Sequence, residues 1–238
     1  RTGSFVFLFF VLFYMIADAI WGALAYPFYL GAPEVNGGLG YSYPEVAAAS
    51  KVFGVLMTMT GIMLGGFLMQ TIGKMWSLLL AAILAAATNL LYADLASGGA
   101  FADQFIEAVH LSVVFPFMAE LVNFLSTEAD VVVGDRLGRL MVVIAAENLA
   151  LGIASVVYVA YLSSVVAKKY AAVQYAIFAS LTMLVSSLIK PLLGEIADER
   201  GFAYVFILTA ILGLLGVGAS LAEWLRVSQK PSTKSAAP

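Results

Sequence analysis

Six apolar runs, each about as long as a bilayer core is thick, fix what this chain can become. They cover residues 4–29, 44–71, 75–95, 139–166, 171–193 and 202–225. A helix needs roughly 20 predominantly apolar residues to cross hydrocarbon. Within lipid, every backbone N–H and C=O must be paired inside the segment, which continuous helices achieve. The whole chain agrees: 62% of its residues are hydrophobic and 11% charged, against about 45–50% and about 25% in soluble domains. The expected fold is therefore all-α, a polytopic membrane protein with six transmembrane helices. The first run is far longer than the roughly 7–15 residues of a signal-peptide core, so no cleavable signal is expected. The chain opens on Arg1 rather than Met, and its true start is expected to lie upstream.

Composition also removes whole classes of chemistry. Cysteine is absent, which excludes disulfides, thiolate nucleophiles and Cys-ligated zinc together. A single histidine, His110, is too few for a His-based metal site, and no cofactor is expected. The net charge of −3 is sorted by side rather than pooled in a basic patch, so nucleic acid is not a partner. The lipid bilayer is.

The sorting gives an orientation, because loops rich in Lys and Arg stay cytoplasmic. Arg1, Lys74, Lys168, Lys169, Arg226, Lys230 and Lys234 fall on one side, and only Arg136, Arg139 and Arg200 on the other, with most of the acids. Both termini are expected in the cytoplasm. The long connection 96–138 contains an apolar piece, 101–125, in which Asp103, Glu107 and His110 recur at helical spacing as one wet face. Pro116 and Glu120 interrupt its most apolar part. As a seventh span it would invert the last three helices and carry Lys168, Lys169 and Arg226 outside. It reads instead as an interfacial or re-entrant helix on the outer side, with His110 a surface residue rather than a proton relay. The tail 227–238 is polar and expected to be disordered.

An internal repeat organises the spans. Gly66, Gln70 and Gly73 close the second span, followed by Lys74; Gly194, Asp198 and Gly201 close the fifth at an offset of 128 residues. Asp18 and Glu147 are 129 apart. Three spans per repeat place equivalent turns on opposite sides, which is the plan of two inverted three-helix repeats in secondary transporters. The expected division is 1–95 and 139–226 for the repeats, 96–138 for the outer insertion, and 227–238 for the tail.

Polar residues inside the runs locate the function. Glu147 and Asn148 sit side by side near the middle of an apolar run. An ionisable group at that depth costs several kcal/mol unless it faces protein or water, so it marks a pathway unless shown otherwise. The bland alternative is a helix–helix hydrogen bond, which Asn and Glu also make in membranes. Asp18 is about midway along the first run. Lys51 heads a face with Gly54, Thr58, Gly61 and Gly65; it serves as a cation for an anionic solute or a counter-charge for a buried acid, or simply snorkels to the interface. Tyr158 lies below Glu147, Gln174 begins the fifth run, and Lys190 ends it just before Pro191, which should kink or stop that helix. Four polar stripes predict a wet cavity carrying both charge signs. It suits an amphipathic small-molecule solute, with protons carried by a buried carboxylate.

These residues resemble the second half of the AmpG muropeptide permease family of the major facilitator superfamily. The likeness runs through Asp18-Ala19, Lys51-Val52-Phe53-Gly54, the stretch from Gly65 to Gln70, Asn89, Glu147-Asn148-Leu149, Gln174-Tyr175-Ala176 and the stretch from Pro191 to Gly201. The turn from Gly66 to Lys74 also resembles the superfamily's cytoplasmic loop motif, with Gln70 where an Asp is often found. The resemblance implies a secondary transporter in the bacterial inner membrane that imports anhydro-muropeptides for peptidoglycan recycling on the proton gradient. It implies that Asp18, Lys51, Glu147, Asn148 and Gln174 line or gate the path. Two departures stand out: Ser186-Ser187 replaces a Gly-Arg pair of the family, and the N-terminal half of a twelve-span permease is missing. The chain is then a fragment, one partner of a split protein, or a six-span relic. Acetyl-CoA or a drug as solute, and a non-transporting scaffold in a membrane complex, remain alternatives. No nucleophile–base pair suggests an enzyme.

Overall fold

The computed structural model describes residues 2–229 apart from Val35, residues 126–130 and Ala167. Glu128, Asp130 and the tail beyond Gln229 therefore lie outside the described residues. Every regular element among those described is helical. Five helices are long and apolar enough to cross a membrane, with a bent pair as a possible sixth.

The first expected span is covered by three short helices in series: α1 (Thr2–Phe13), α2 (Ile16–Trp21) and α3 (Ala25–Leu30). It is not the continuous helix that its hydropathy suggests. The second interruption has a local cause. Pro27 has no N–H for the carbonyl four residues back, and its ring crowds that carbonyl, so the ladder opens at residues 22–24. After a loop, α4 (Tyr43–Ala47) starts with Pro44 in its first turn and Glu45 bonding back to Ser42 N at 2.8 Å, a reciprocal N-terminal cap. A π-helical turn, Ala48–Phe53, joins it to α5 (Gly54–Thr71), and the whole forms one 29-residue crossing.

After the Gly73 turn, α6 (Lys74–Ala96) returns. The outer connection holds α7 (Ala100–Ala108), a short 3-10 turn (Leu111–Val114) and α8 (Phe115–Leu125), with an 82° bend between Ala108 and Leu111. Both arms touch one end of the next helix, α9 (Asp135–Val165): Arg139 pairs with Asp103 of α7 at 3.1 Å, and the Phe115 ring of α8 lies against Gly138. Asp103, Glu107 and His110 are all exposed. The chain finishes with α10 (Ala171–Arg200) and α11 (Phe202–Ser228). Pro191 does not stop α10, which continues to Arg200.

Packing follows a pattern that survives exchange of the two triplets. Helix α5 packs on α9 as α10 packs on α1 and α2; α6 packs on α9 as α11 packs on α1 and α2; α6 and α11 pack on each other. The equivalent turns match in detail, since Gly73 has φ 82°, ψ 163° and Gly201 has φ 81°, ψ 164°. Such positive φ values favour glycine. The turns also lie at opposite ends of the bundle. Gly201 sits beside Asn36 in the loop before α4, whereas Trp76, just after Gly73, meets Trp224 at 4.4 Å near the end of α11.

The tightest seam is between α5 and α9. A Cβ on Gly61 would lie 2.4 Å from the Leu149 carbonyl oxygen, and one on Gly152 would lie 2.3 Å from the Thr58 carbonyl oxygen. In lipid, where apolar tails compete equally for apolar side chains, such backbone approach is a main source of helix association. Gly152→Ala is expected to lower the thermal midpoint of the detergent-solubilised protein, costing about 2 kcal/mol by overpacking. Gly66→Ala is the control, because a Cβ there meets nothing within 4 Å; a fall as large as that of Gly152→Ala would show that the seam is not the cause.

Candidate functional site

The seam between α5 and α9 is also where the polar groups are assembled. Beside it, the Thr58 hydroxyl of α5 lies 2.8 Å from Asn148 Oδ1 on α9. The Asn148 amide then uses both of its hydrogens, donating to the Ile144 carbonyl at 2.9 Å and to Glu147 Oε2 at 2.7 Å. The amide thus fixes the carboxylate of Glu147, which is buried. The expected helix–helix hydrogen bond is made by Asn148, which also orients Glu147.

Glu147 faces Asp18. The two acids, with Met15, Ala19, Gly22 and Leu151, line one cleft of about 310 Å³ between the broken first span and α9. Asp18 is on α2, the short piece between the two interruptions. Its residue surface is partly accessible, but its Oδ2 is shut away and has no hydrogen-bond partner. A buried polar atom without a partner costs about 1–3 kcal/mol, so among the described residues this oxygen is an unsatisfied acceptor. The Tyr29 and Tyr92 hydroxyls form a 3.0 Å pair buried between α3 and α6, with Glu147 in electrostatic range of both and Asp18 of Tyr92.

The remaining candidates lie elsewhere. Lys51 does not share the face of Gly54, Thr58, Gly61 and Gly65. The π-helical turn inserts one extra residue around it, which rotates Lys51 off the α9 side. Its ammonium stands 5.4 Å from the centre of the Tyr26 ring, exposed. Among the described residues the cleft lining holds the two acids with Met15, Ala19, Gly22 and Leu151 and no Lys or Arg, so Lys51 is not brought to the acids. Tyr158 stacks on Tyr14 at 5.1 Å and 9°, and donates to the Val11 carbonyl at 3.2 Å. Gln174 and Lys190 are partly buried on α10, away from the cleft lining.

In the turn motifs, Gln70 is exposed and its amide reaches the Gly66 carbonyl at 3.4 Å; Lys74 is exposed as well. A Cβ would meet nothing at either Gly66 or Gly194. Asp198 accepts a 2.7 Å bond from Asn36, whose carbonyl accepts from Phe202 N at 2.9 Å. These bonds tie the loop before α4 to the α10–α11 turn. The same loop is held by Arg136, which donates to the Leu39 and Gly40 carbonyls at 2.7 and 2.9 Å and lies 4.1 Å from the Tyr41 ring. Burial pushes the Tyr41 phenol up to about 12, so it keeps the proton it donates to the Arg136 carbonyl at 2.6 Å.

Several groups escaped the sequence reading. Glu223 of α11 is wholly buried, bonded by Arg226 Nε at 2.6 Å and Nη2 at 2.5 Å and by the Tyr161 hydroxyl of α9. The spacing of Glu223 and Arg226, three residues apart in an apolar run, was the available signal. The Thr209 hydroxyl bonds Asn89 Oδ1 at 3.0 Å, so Asn89 joins α6 to α11. Asp94 accepts from the backbone of Phe101 and Ala102 at 3.0 and 2.9 Å and so anchors the start of α7.

Comparison with known proteins extends this picture. No family model matches the chain, and no solved structure matches it. Among curated proteins, it is 28% identical over 204 residues to a Rickettsia conorii protein provisionally named transporter AmpG 4, covering 86% of this chain and 39% of that protein. It is 25% identical over 223 residues to the Rickettsia bellii protein provisionally named transporter AmpG 1, covering 94% and 43%. It is 24% identical over 243 residues to the anhydromuropeptide permease of Escherichia coli K12, covering 100% and 41%. The chain spans about two fifths of the length of the curated relatives it matches, and it is similar to one half of the AmpG-type permeases.

Proposed function

We propose that this chain forms the C-terminal half of a secondary active transporter of the major facilitator type. The solute is an anhydro-muropeptide, imported through the bacterial inner membrane for peptidoglycan recycling, and the import is driven by protons. One observation carries the proton assignment: Asp18 and Glu147, each from the first span of its triplet, line a single cleft with no basic side chain among the described residues, where Asp18 Oδ2 has no partner. Two carboxyl groups so placed take and release protons more readily than an ion pair would. The solute assignment rests on the printed name of the Escherichia coli relative. The interrupted first span supports a transport site as well, since discontinuous helices line the midplane sites of many secondary transporters.

In this reading the Gly73 turn and both termini face the cytoplasm, as the Lys and Arg distribution suggests. The bent pair α7–α8 enters and leaves on the outer side without crossing. An N-terminal half, on the same chain or a partner chain, supplies the other wall of the cavity. Lys51 stands near the outer end, where it can meet an anionic solute before the cleft does.

The test is uptake of labelled anhydro-muropeptide by vesicles holding the full-length protein under an imposed pH gradient. Glu147→Gln and Asp18→Asn are expected to reduce concentrative uptake by about 100-fold, in line with loss of an essential proton carrier, while exchange of labelled for unlabelled solute persists. Undiminished accumulation by Glu147→Gln at several external pH values would remove that residue from the mechanism. The cleft itself has an independent chemical signature. Dicyclohexylcarbodiimide, which reacts with carboxyl groups in apolar surroundings that lack a cation, is expected to modify Asp18 or Glu147 and to spare Glu223. Mass spectrometry of the labelled peptides reads this directly, and label on Glu223 alone would contradict it.

A further inference from the structure

Among the described residues, the buried acid that the proposed transport step leaves unused is Glu223. Its carboxylate has no exposed surface and takes three donors, two from Arg226 and one from Tyr161. Arg226 also lies 5.9 Å from the Phe7 ring on α1. The arrangement therefore ties α11 to α9 and α1 at the end of the bundle where α11 finishes.

From Tyr161, aromatic contacts lead to Tyr14, whose chain neighbour Met15 lines the acid cleft. Phe10 meets the Tyr161 ring edge-on at 5.3 Å, then leans on Tyr14 at 5.1 Å and Tyr158 at 5.8 Å. Tyr14 and Tyr158 stack, and Tyr14 is one helical turn before Asp18 in sequence. Phe10, Tyr14 and Tyr161 are buried. Neither hydroxyl of the stacked pair is turned to Asp18 as a relay: Tyr14 donates to the Leu78 carbonyl at 3.3 Å, and Tyr158 to the Val11 carbonyl. Rings with their hydroxyls committed to backbone carbonyls insulate; they do not conduct.

We infer that Glu223 is a positioning residue for the proton step: through Tyr161 it holds the Phe10–Tyr14–Tyr158 plug closed, so that protons do not reach the Asp18–Glu147 cleft from the Arg226 end while this plug is intact. The inference rests on the acid cleft being the proton site. A fully paired carboxylate suits the task, because three donors hold it and its partners in one geometry. Losing one partner of such a buried set leaves the rest uncompensated.

The experiment measures proton entry into liposomes containing the full-length protein and a trapped pH-sensitive dye, under a potassium-diffusion potential and with no solute present. Tyr161→Phe, which removes only the hydroxyl, and Glu223→Gln are expected to raise solute-independent proton entry about 10-fold, the scale set by one lost buried hydrogen bond. Glu223→Asp, which keeps the charge, should fall between them and the parent. Solute exchange should persist in Tyr161→Phe. If Glu223→Gln does not fold, Tyr161→Phe decides. Unchanged proton entry in a folded Tyr161→Phe protein overturns the inference and leaves the transport reading intact. Asp18→Asn added to Tyr161→Phe should return proton entry to the parental rate; a leak that persists shows that the protons bypass the cleft, which also overturns the inference. Failure of the parent to accumulate solute on a pH gradient would count against the transport reading alone, since the leak measurement needs no solute.

Discussion

Two helix backbones in contact, with no side chain between them, determine much of what the rest of this molecule can do. At Gly61 and Gly152 the α5 and α9 backbones come closer than any Cβ permits. Dispersion and the exclusion of lipid hold that seam, because the hydrophobic effect has nothing to separate when both phases are apolar. Close approach then brings Thr58 within 2.8 Å of Asn148, and Asn148 in turn holds Glu147. A larger residue at Gly61 or Gly152 would move α5 away and release the carboxylate from its support. Stability and site geometry therefore depend on the same atoms that are missing.

The two triplets are alike in packing but unlike in this detail, and the difference is chemical. With the offset of 129 that relates Asp18 to Glu147, the counterpart of Asn148 is Ala19. With the offset of 128 that relates the turns, the counterparts of Thr58, Gly61 and Gly65 are Ser186, Ile189 and Leu193. The second triplet thus has no glycine seam along α10, and Ser186 turns its hydroxyl to the Met183 carbonyl of its own helix at 3.0 Å. Asp18 has neither an adjacent amide nor a hydroxyl brought up to it. One acid of the pair is oriented and the other is left open, although both occupy equivalent places.

Much of the architecture was legible in the sequence because it is written in period and punctuation. Apolar length marks the crossings, and the recurrence of Gly66–Gln70–Gly73 as Gly194–Asp198–Gly201 marks the two turns, whose glycines adopt nearly the same φ and ψ. What was not legible depends on departures from regular geometry. The π-helical turn that carries Lys51 out of its stripe, and the opening before Asp18 at Tyr14–Met15, leave no composition signal. Pro27 could have warned of the second break. Glu223 was hidden for a different reason: a carboxylate next to an interfacial arginine looks solvated in sequence, and only burial of the pair under Phe7 and Tyr161 shows that it is not.

Placing two kinds of buried acid in one bundle separates two tasks that a single carboxylate does poorly. A carboxylate held by a guanidinium on one side and a phenol on the other, as at Glu223, is fixed in one geometry and in the inferred role transmits position. A carboxylate with an unfilled oxygen and no cation, as at Asp18, gains from changing its charge state when the surroundings change. Between the two lie the rings of Phe10, Tyr14, Tyr158 and Tyr161. Aromatic packing is rigid enough to pass a displacement along and too poor in free hydrogen bonds to pass a proton. In the proposed transport reading that combination matters, because coupling fails as soon as the driving ion can cross the protein without its cargo.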